Sequence, residues 1–532
     1  MTLVFFLSGI ISAIPYVFPK LWIISWVGLS PMIYFQIKYG CEVTRKRAYL
    51  NGLLFGAGYF GVMYHWFCNL YPVFEEMGTL GAIGLILVCW IGLAALQATE
   101  FGFLPFFYRL IRPSGKKTYV CAMLFTAMWV MFEWQETLFW RGVPWARMAV
   151  SQSAVPFMQQ SASLFGSMFT SAVIVAVNAF LAAAYIELSS NGGKLKRFYE
   201  NKKTVILASV AVGLFAVNAL FGVIRMAVLD EKKGEPVKAA VIQGNVSSLD
   251  KWADGSVVAS ADLYIELTEK CVSEYGAQIV VWPETVFTSD IDYYYGVADR
   301  ISELVKKTGI TLFVGAFDDI YDEESYEYLR CYNAIFVFHP DGSVGEQPYY
   351  KRHLVPFGEY TPMEGLVNAI LPVLSEMNLL SDPVTPGDDS NVFDTAHGKI
   401  GSLICFDSIY ETLALDSARD GAELITLSTN DSWFSDSAAV YQHNSHAALR
   451  AIETGRYVIR AANTGVSSII TPEGVKLTEI EPLIEGYACE TVYPRTDRTL
   501  YSYVGNLFVY LCIFWVVNRW VYWFVMRKKP SR

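Results

Sequence analysis

Three residues of this sequence have types suited to acyl transfer and stand where apolar runs give out: Glu284, Lys351 and Cys405. Glu284 follows Ile279-Val280-Val281-Trp282-Pro283, and Cys405 follows Ile400-Gly401-Ser402-Leu403-Ile404. Lys351 follows Tyr349-Tyr350 and leads into His353-Leu354-Val355-Pro356-Phe357-Gly358-Glu359-Tyr360. A thiol attacks a carbonyl as its thiolate, which a nearby cation or helix N-terminus favours; Lys351 is the candidate cation. A carboxylate such as Glu284 takes up the thiol proton and later returns it to a leaving group. The Lys351 ammonium and the backbone N–H of Phe406 are candidate donors to the oxyanion of a tetrahedral intermediate. Singly, each residue also has a plain structural reading: a buried cysteine, a strand-end carboxylate in solvent, a surface lysine. Their joint placement is what points to catalysis.

The elements that must hold them are short β runs alternating with helices. Val237–Ile242, Gln278–Trp282, Thr311–Gly315, Asn333–Phe338, Lys399–Cys405 and Leu424–Ser428 read as strands. Residues 261–275, 297–308, 409–420 and 438–454 read as helices at 3.6 spacing, and Asp341–Gly342 marks a hairpin. This alternation predicts an α/β domain with largely buried sheets. In such architectures sites are built at the C-terminal ends of strands, where Glu284 and Cys405 fall.

The chain around this domain is of another kind. It has 532 residues, 53% of them hydrophobic and only 17% charged, against roughly 25% charged in globular proteins. Apolar runs near 3–19, 20–37, 49–67, 80–108, 119–139, 165–188, 204–228 and 503–525 approach the ~20 residues a spanning helix needs. Three divisions follow: 1–229 as a multi-span domain of about seven helices, 230–500 as the catalytic domain, and 501–532 as a C-terminal helix with a basic tail. Positive charge gathers in alternate connections (Lys38, Arg45, Lys46, Arg47; Arg109, Arg112, Lys116, Lys117; Lys194, Lys196, Arg197, Lys202, Lys203) and in the tail. The positive-inside rule then puts both termini in the cytoplasm and the 230–500 segment on the opposite side. A net charge of −10 argues against a nucleic-acid partner, and the short basic clusters between apolar runs are a topology signal. Nine cysteines without CxxC or Cys/His spacing argue against a metal, and their odd, scattered placement leaves room for at most one disulfide pair in the α/β segment. No cofactor is expected. His443, which shares a helix face with His446, reads as structural.

The strings VVWPET (280–285), YYKRHLVPFGEYTP (349–362) and LICFDSIYE (403–411) resemble, in order, the three catalytic motifs of the nitrilase superfamily of carbon–nitrogen hydrolases. With the apolar N-terminal half and the C-terminal span, the whole chain resembles the apolipoprotein N-acyltransferase family. QGNV (243–246), Lys251-Trp252, STNDSWF (428–434), Gln442-His443 and RAANTGVS (460–467) extend the resemblance. It implies a polytopic α-helical membrane bundle carrying an extracytoplasmic nitrilase-like αββα sandwich, in the bacterial inner membrane with the catalytic domain on the periplasmic side. It makes Glu284 the general base, Lys351 the oxyanion stabiliser, Cys405 the nucleophile and Glu359 a supporting carboxylate, with Trp252, Phe406, Asp407 and Trp433 near substrate. The family's Cys-Tyr-Glu is Cys405-Phe406-Asp407 here, and its Asn-Asp-Ala-Trp-Phe-Gly is Asn430-Asp431-Ser432-Trp433-Phe434-Ser435.

The reaction implied is ping-pong. An acyl chain passes from a phospholipid to the cysteine, then to the N-terminal amine of a diacylglyceryl-cysteine apolipoprotein. The apolar stretch between Pro362 and Pro383 is expected to form an arm at the membrane surface, with Leu366, Ile370, Leu371 and Leu374 along an acyl-chain entrance and Trp252 across from it; packing on the domain core is the alternative. The competing functions are a membrane-tethered amidase that uses water as acceptor, and a transporter or scaffold with an inactive domain. The intact Glu, Lys and Cys and the scarcity of charge within the spans weigh against the last.

Overall fold

In a computed structural model, the structure describes residues 2–112, 117–138, 142–190, 198–230, 232–247, 250–253, 255–291, 296–322, 328–365, 369, 384–390 and 392–527. Leu366, Ile370, Leu371 and Leu374, and with them the expected membrane-surface arm, lie outside the described residues. The chain forms two compact units, Met1–Leu229 with Tyr503–Arg532, and Asp230–Ser502.

The first unit is helical. Among the described residues, four helices are long and apolar enough to cross a membrane: Thr79–Ile111, Ser167–Ser190, Lys202–Val228 and Leu507–Val525. Thr2–Val17, Arg45–Met63 and Thr118–Gln135 are further helices of the bundle. The expected span at 20–37 is corrected. A 3-10 segment, Pro19–Trp26, and a ten-residue helix, Ser30–Tyr39, replace it, because Pro19 and Pro31 each start a new helix and suit its first turn. Small residues let the helices approach closely, as in membranes generally. A Cβ on Gly56 would lie 2.6 Å from Ala98 Cα. Some polar side chains inside the bundle are bonded to one another, as Tyr16 Oη with Tyr59 Oη at 2.7 Å and Trp26 Nε1 to Gln152 Oε1 at 2.9 Å.

The second unit is a sandwich of two sheets. The first contains β1 (Val237–Gln243), β2 (Ile279–Val281), β3 (Phe287–Asp290), β4 (Thr311–Tyr321), β5 (Tyr328–Phe338), β6 (Tyr349–Tyr350) and β13 (Gly486–Val492). Its order is β13-β1-β2-β4-β5-β6, with β3 beside β4. The second contains β7 (Val392–Thr395), β8 (Gly398–Ile404), β9 (Leu424–Thr429), β10 (Tyr457–Ala462), β11 (Ser467–Ile470) and β12 (Lys476–Ile480), in the order β12-β11-β10-β9-β8-β7. Because strand side chains alternate between faces, Val237, Ala239 and Val241 point inward to meet Ile400, Ile404, Leu424 and Ile459 of the other sheet. Ala240 and Ile242 point outward to the helices Ser256–Tyr275 and Val297–Thr308. Helices Glu411–Arg419 and Ala438–Thr454 pack on the second sheet. The layers are therefore α, β, β, α. The central strands β1, β2 and β4 of the first sheet and β8, β9 and β10 of the second run parallel within their sheets, so the parallel strands of each sheet end together. Glu284 follows β2, Lys351 follows β6 and Cys405 follows β8.

Candidate active site

Cys405 terminates β8 and begins a five-residue 3-10 turn, Cys405–Ile409. Its φ of +49° is in the left-handed region, which costs a non-glycine residue on the order of 1–2 kcal/mol and persists only where the surroundings fix it. Those surroundings are present. The Cys405 carbonyl accepts from Ser408 Oγ at 2.8 Å and lies 3.1 Å from His443 Nε2. His443 Nδ1 is 2.8 Å from Asp431 Oδ1, and Arg460 donates to Asp431 Oδ2 at 2.7 Å. All three side chains are buried. Burial opposes its ionisation, but the contacts with His443 and Arg460 hold the Asp431 carboxyl well below its usual range.

Beside the cysteine is a bridged set of charges. Lys351, 1% exposed, donates to Glu284 Oε1 at 2.8 Å and to Glu359 Oε1 at 2.9 Å. Asn333 Nδ2, from β5, donates to the same two oxygens at 2.8 and 3.0 Å. The remaining oxygens are also engaged: Asn430 N donates to Glu284 Oε2 and Val355 N to Glu359 Oε2, each at 2.8 Å. The backbone makes room for this. A Cβ on Gly315 of β4 would lie 2.9 Å from Glu284 Cα, so a side chain there would push the carboxylate out of place.

These contacts set the electrostatics. Burial alone would lower the Lys351 pKa, but Glu284 and Glu359 outweigh it and hold the ammonium well above its usual value. Cys405 goes the other way from the sequence argument. Burial first, then the Glu284 carboxylate, push its thiol well up, and Lys351 only partly opposes them. The Cys405 thiol stands beside a carboxylate, so any attack by its sulfur requires the proton to leave. Neither a lone cation nor a helix N-terminus decides the matter, because the lysine charge is already shared between two carboxylates.

The remaining expected residues divide. Glu359 stands in the charged set. Asp407 is fully buried, and its carboxylate accepts from Tyr349 Oη and His353 N at 2.8 Å and from Ile404 N at 3.1 Å. It ties β6 and the segment just after it to the turn at Cys405, and burial pushes it up to about 6. Phe406 is buried edge-on to Tyr410, with ring centroids 5.6 Å apart. Trp252 is 51% exposed with its ring 6.4 Å from Phe317, and Trp433 is half-buried. Asn333, which no motif contains, also belongs to the site, as do Asn430, Asp431, Arg460 and Lys251, which the motif strings contain without an assigned role; the buried Lys251 ammonium donates to Thr285 O at 3.0 Å and to Glu284 O at 3.3 Å. Cys405, Asp431 and His443 offer ligand atoms within 4.8 Å of one another. Asp431 already spends both oxygens on His443 and Arg460, so a cation would have to displace a guanidinium.

An αββα sandwich with this Glu, Lys and Cys set at its strand ends defines the class, a carbon–nitrogen hydrolase domain of the nitrilase superfamily. A family model described as carbon–nitrogen hydrolase matches residues 238–498, and one described as the apolipoprotein N-acyltransferase N-terminal domain matches 8–180. The chain is similar to the apolipoprotein N-acyltransferase of Geobacter metallireducens, 28% identical over 95% of this chain and 92% of that protein. It is similar to those of Methylococcus capsulatus (27%; 87% and 85%) and Gloeobacter violaceus (28%; 92% and 87%). This chain belongs to the apolipoprotein N-acyltransferase family, and it is an acyltransferase. Saccharomyces cerevisiae Nit3, of the nitrilase superfamily, is also similar, with a TM-score of 0.39 at 20% identity, covering 51% of this chain and 94% of Nit3.

Proposed function

We propose that this chain moves an acyl chain from a membrane phospholipid to the N-terminal amine of a diacylglyceryl-cysteine apolipoprotein, through a thioester on Cys405. The observation that carries the chemistry is the Lys351 ammonium held between Glu284 and Glu359 and felt by the Cys405 thiol. In the first half-reaction Sγ attacks the ester carbonyl while Glu284 takes its proton. Lys351 and the Phe406 N–H stabilise the oxyanion, and Glu284 returns the proton to the departing lysophospholipid alkoxide. In the second, the acceptor amine attacks the thioester, Glu284 takes a proton from nitrogen, and the thiol recovers it as it leaves. Asn333 and Glu359 hold the two charged groups in register. Asp407 and the Asp431–His443–Arg460 set hold the strained turn. Trp252 and Trp433, the more open of the aromatic residues, are the candidates for lipid contact.

A membrane anchor suits this chemistry, since donor and acceptor are both lipids of one leaflet. The alternating Lys/Arg connections support an inner-membrane protein whose α/β unit faces the periplasm. The test uses purified protein in phospholipid vesicles with a peptide bearing a diacylglyceryl-cysteine N-terminus. The proposal requires one acyl chain gained by the peptide for each lysophospholipid formed. Release of free fatty acid with an unmodified peptide would make the enzyme a hydrolase instead.

A further inference from the structure

We propose that Cys271 and Cys489 join in an intradomain disulfide that locks the helix Ser256–Tyr275 to β13. Both are free thiols in the structure, Cys271 buried and Cys489 half-buried. Their facing follows from two periodicities. Successive strand side chains alternate, so Tyr487 and Cys489 leave β13 on one face. That face meets the helix: the Tyr487 hydroxyl donates to Glu274 Oε2 at 2.8 Å, and the Tyr487 and Tyr275 rings are 6.2 Å apart. On the helix, Cys271 is one turn before Glu274 and Tyr275 and shares their side. The contact that seats Tyr487 on Glu274–Tyr275 therefore brings Cys489 onto Cys271. Cys271 belongs to the core between the helix and the first sheet, and Cys489 packs against that core.

The chemistry is thiol–disulfide exchange with an external disulfide oxidant R–S–S–R. Cys489, the more accessible of the two, attacks first. It forms a mixed disulfide and releases RS⁻. Cys271 then gives up its proton and attacks Cys489 Sγ, expelling the second RS⁻. Two protein thiols and one disulfide become one protein disulfide and two RSH. The bridge would enclose Glu284, Lys351 and Cys405 in a single loop, while the Cys405 thiol, held high by burial and Glu284, stays reduced for catalysis.

An oxidising compartment is required, so the inference rests on the outward placement of the α/β unit. The experiment reads both. Cells carrying Asp341→Cys are treated with an impermeant maleimide, then acid-quenched, lysed with a permeant alkylating agent and mapped by peptide mass spectrometry. The expected result is outside labelling at position 341 together with a linked Cys271–Cys489 peptide pair. Outside labelling at 341 with both native thiols alkylated would overturn the disulfide and leave the placement standing. No outside labelling would overturn the placement and, with it, the disulfide. On purified protein, dithiothreitol should lower the melting temperature by on the order of 5–10 °C and leave Cys271→Ala/Cys489→Ala unmoved. Equal melting with and without reductant in the native protein would count against the bridge.

Discussion

Removing the Lys351 ammonium tests the charged set as a whole. In Lys351→Met, the Oε1 atoms of Glu284 and Glu359 keep Asn333 Nδ2 as a shared donor and lose the cation that lay 2.8 and 2.9 Å from them. Breaking a buried ion pair from one side costs about 3–5 kcal/mol, or about 10 °C in melting for a unit of this size. Catalysis loses an oxyanion donor, worth on the order of 100- to 1,000-fold, and the Cys405 thiol loses the one opposing charge that Lys351 supplies. Two assays suffice, thermal unfolding in detergent and single-turnover formation of the acyl adduct by rapid quench. A variant that forms adduct within about threefold of the native rate, with an unaltered melting temperature, would refute the role given to Lys351.

Asp407 offers a pH test. Burial pushes its carboxyl up to about 6 in the folded protein, against an unfolded value of about 3.9. Native stability should gain up to about 3 kcal/mol from this group as pH falls from neutrality through about 6 to about 4. In Asp407→Asn that gain should vanish, which chemical denaturation at stepped pH will read; an unchanged slope would exclude Asp407 as its source. For topology, a cysteine introduced near Lys46 should resist an impermeant thiol reagent in intact spheroplasts, while Asp341→Cys reacts. The reverse pattern would put the α/β unit in the cytoplasm.

How far the sequence spoke depended on how local each signal is. The helices at 297–308 and 438–454 and the cores of β1, β2, β8 and β9 were legible, because each is a run whose period is set by one buried face. Strands β10 to β13 were not. Tyr457–Ala462 contains Arg460, and Lys476–Ile480 has the adjacent polar residues Thr478 and Glu479, which break the strand alternation. What makes them strands is pairing with partners elsewhere in the chain, and Arg460 is tolerated because Asp431 meets it. In the site, Glu284, Lys351 and Cys405 stood out as charged or reactive residues ending apolar runs. Asn333 did not, because an amide at the start of a strand reads as an outward residue. Only the fold turns it inward to bridge two carboxylates. The one available signal was its place against Ala334-Ile335-Phe336-Val337-Phe338. The thiol pKa could not be read locally either, since it is decided by burial and by charges from two other strands. At 20–37 hydropathy suggested one span where proline geometry makes two short helices.

The central claim is that acyl groups pass through Cys405. Its most direct measurement is intact-protein and peptide mass spectrometry of enzyme taken from membranes, before and after addition of a diacylglyceryl-cysteine peptide. The account predicts a fatty-acyl mass on the Cys405 peptide that hydroxylamine removes, that the acceptor peptide discharges as it gains the same chain, and that Cys405→Ala lacks while remaining folded. An acyl group on another cysteine, or acyl transfer undiminished in Cys405→Ala, would contradict it.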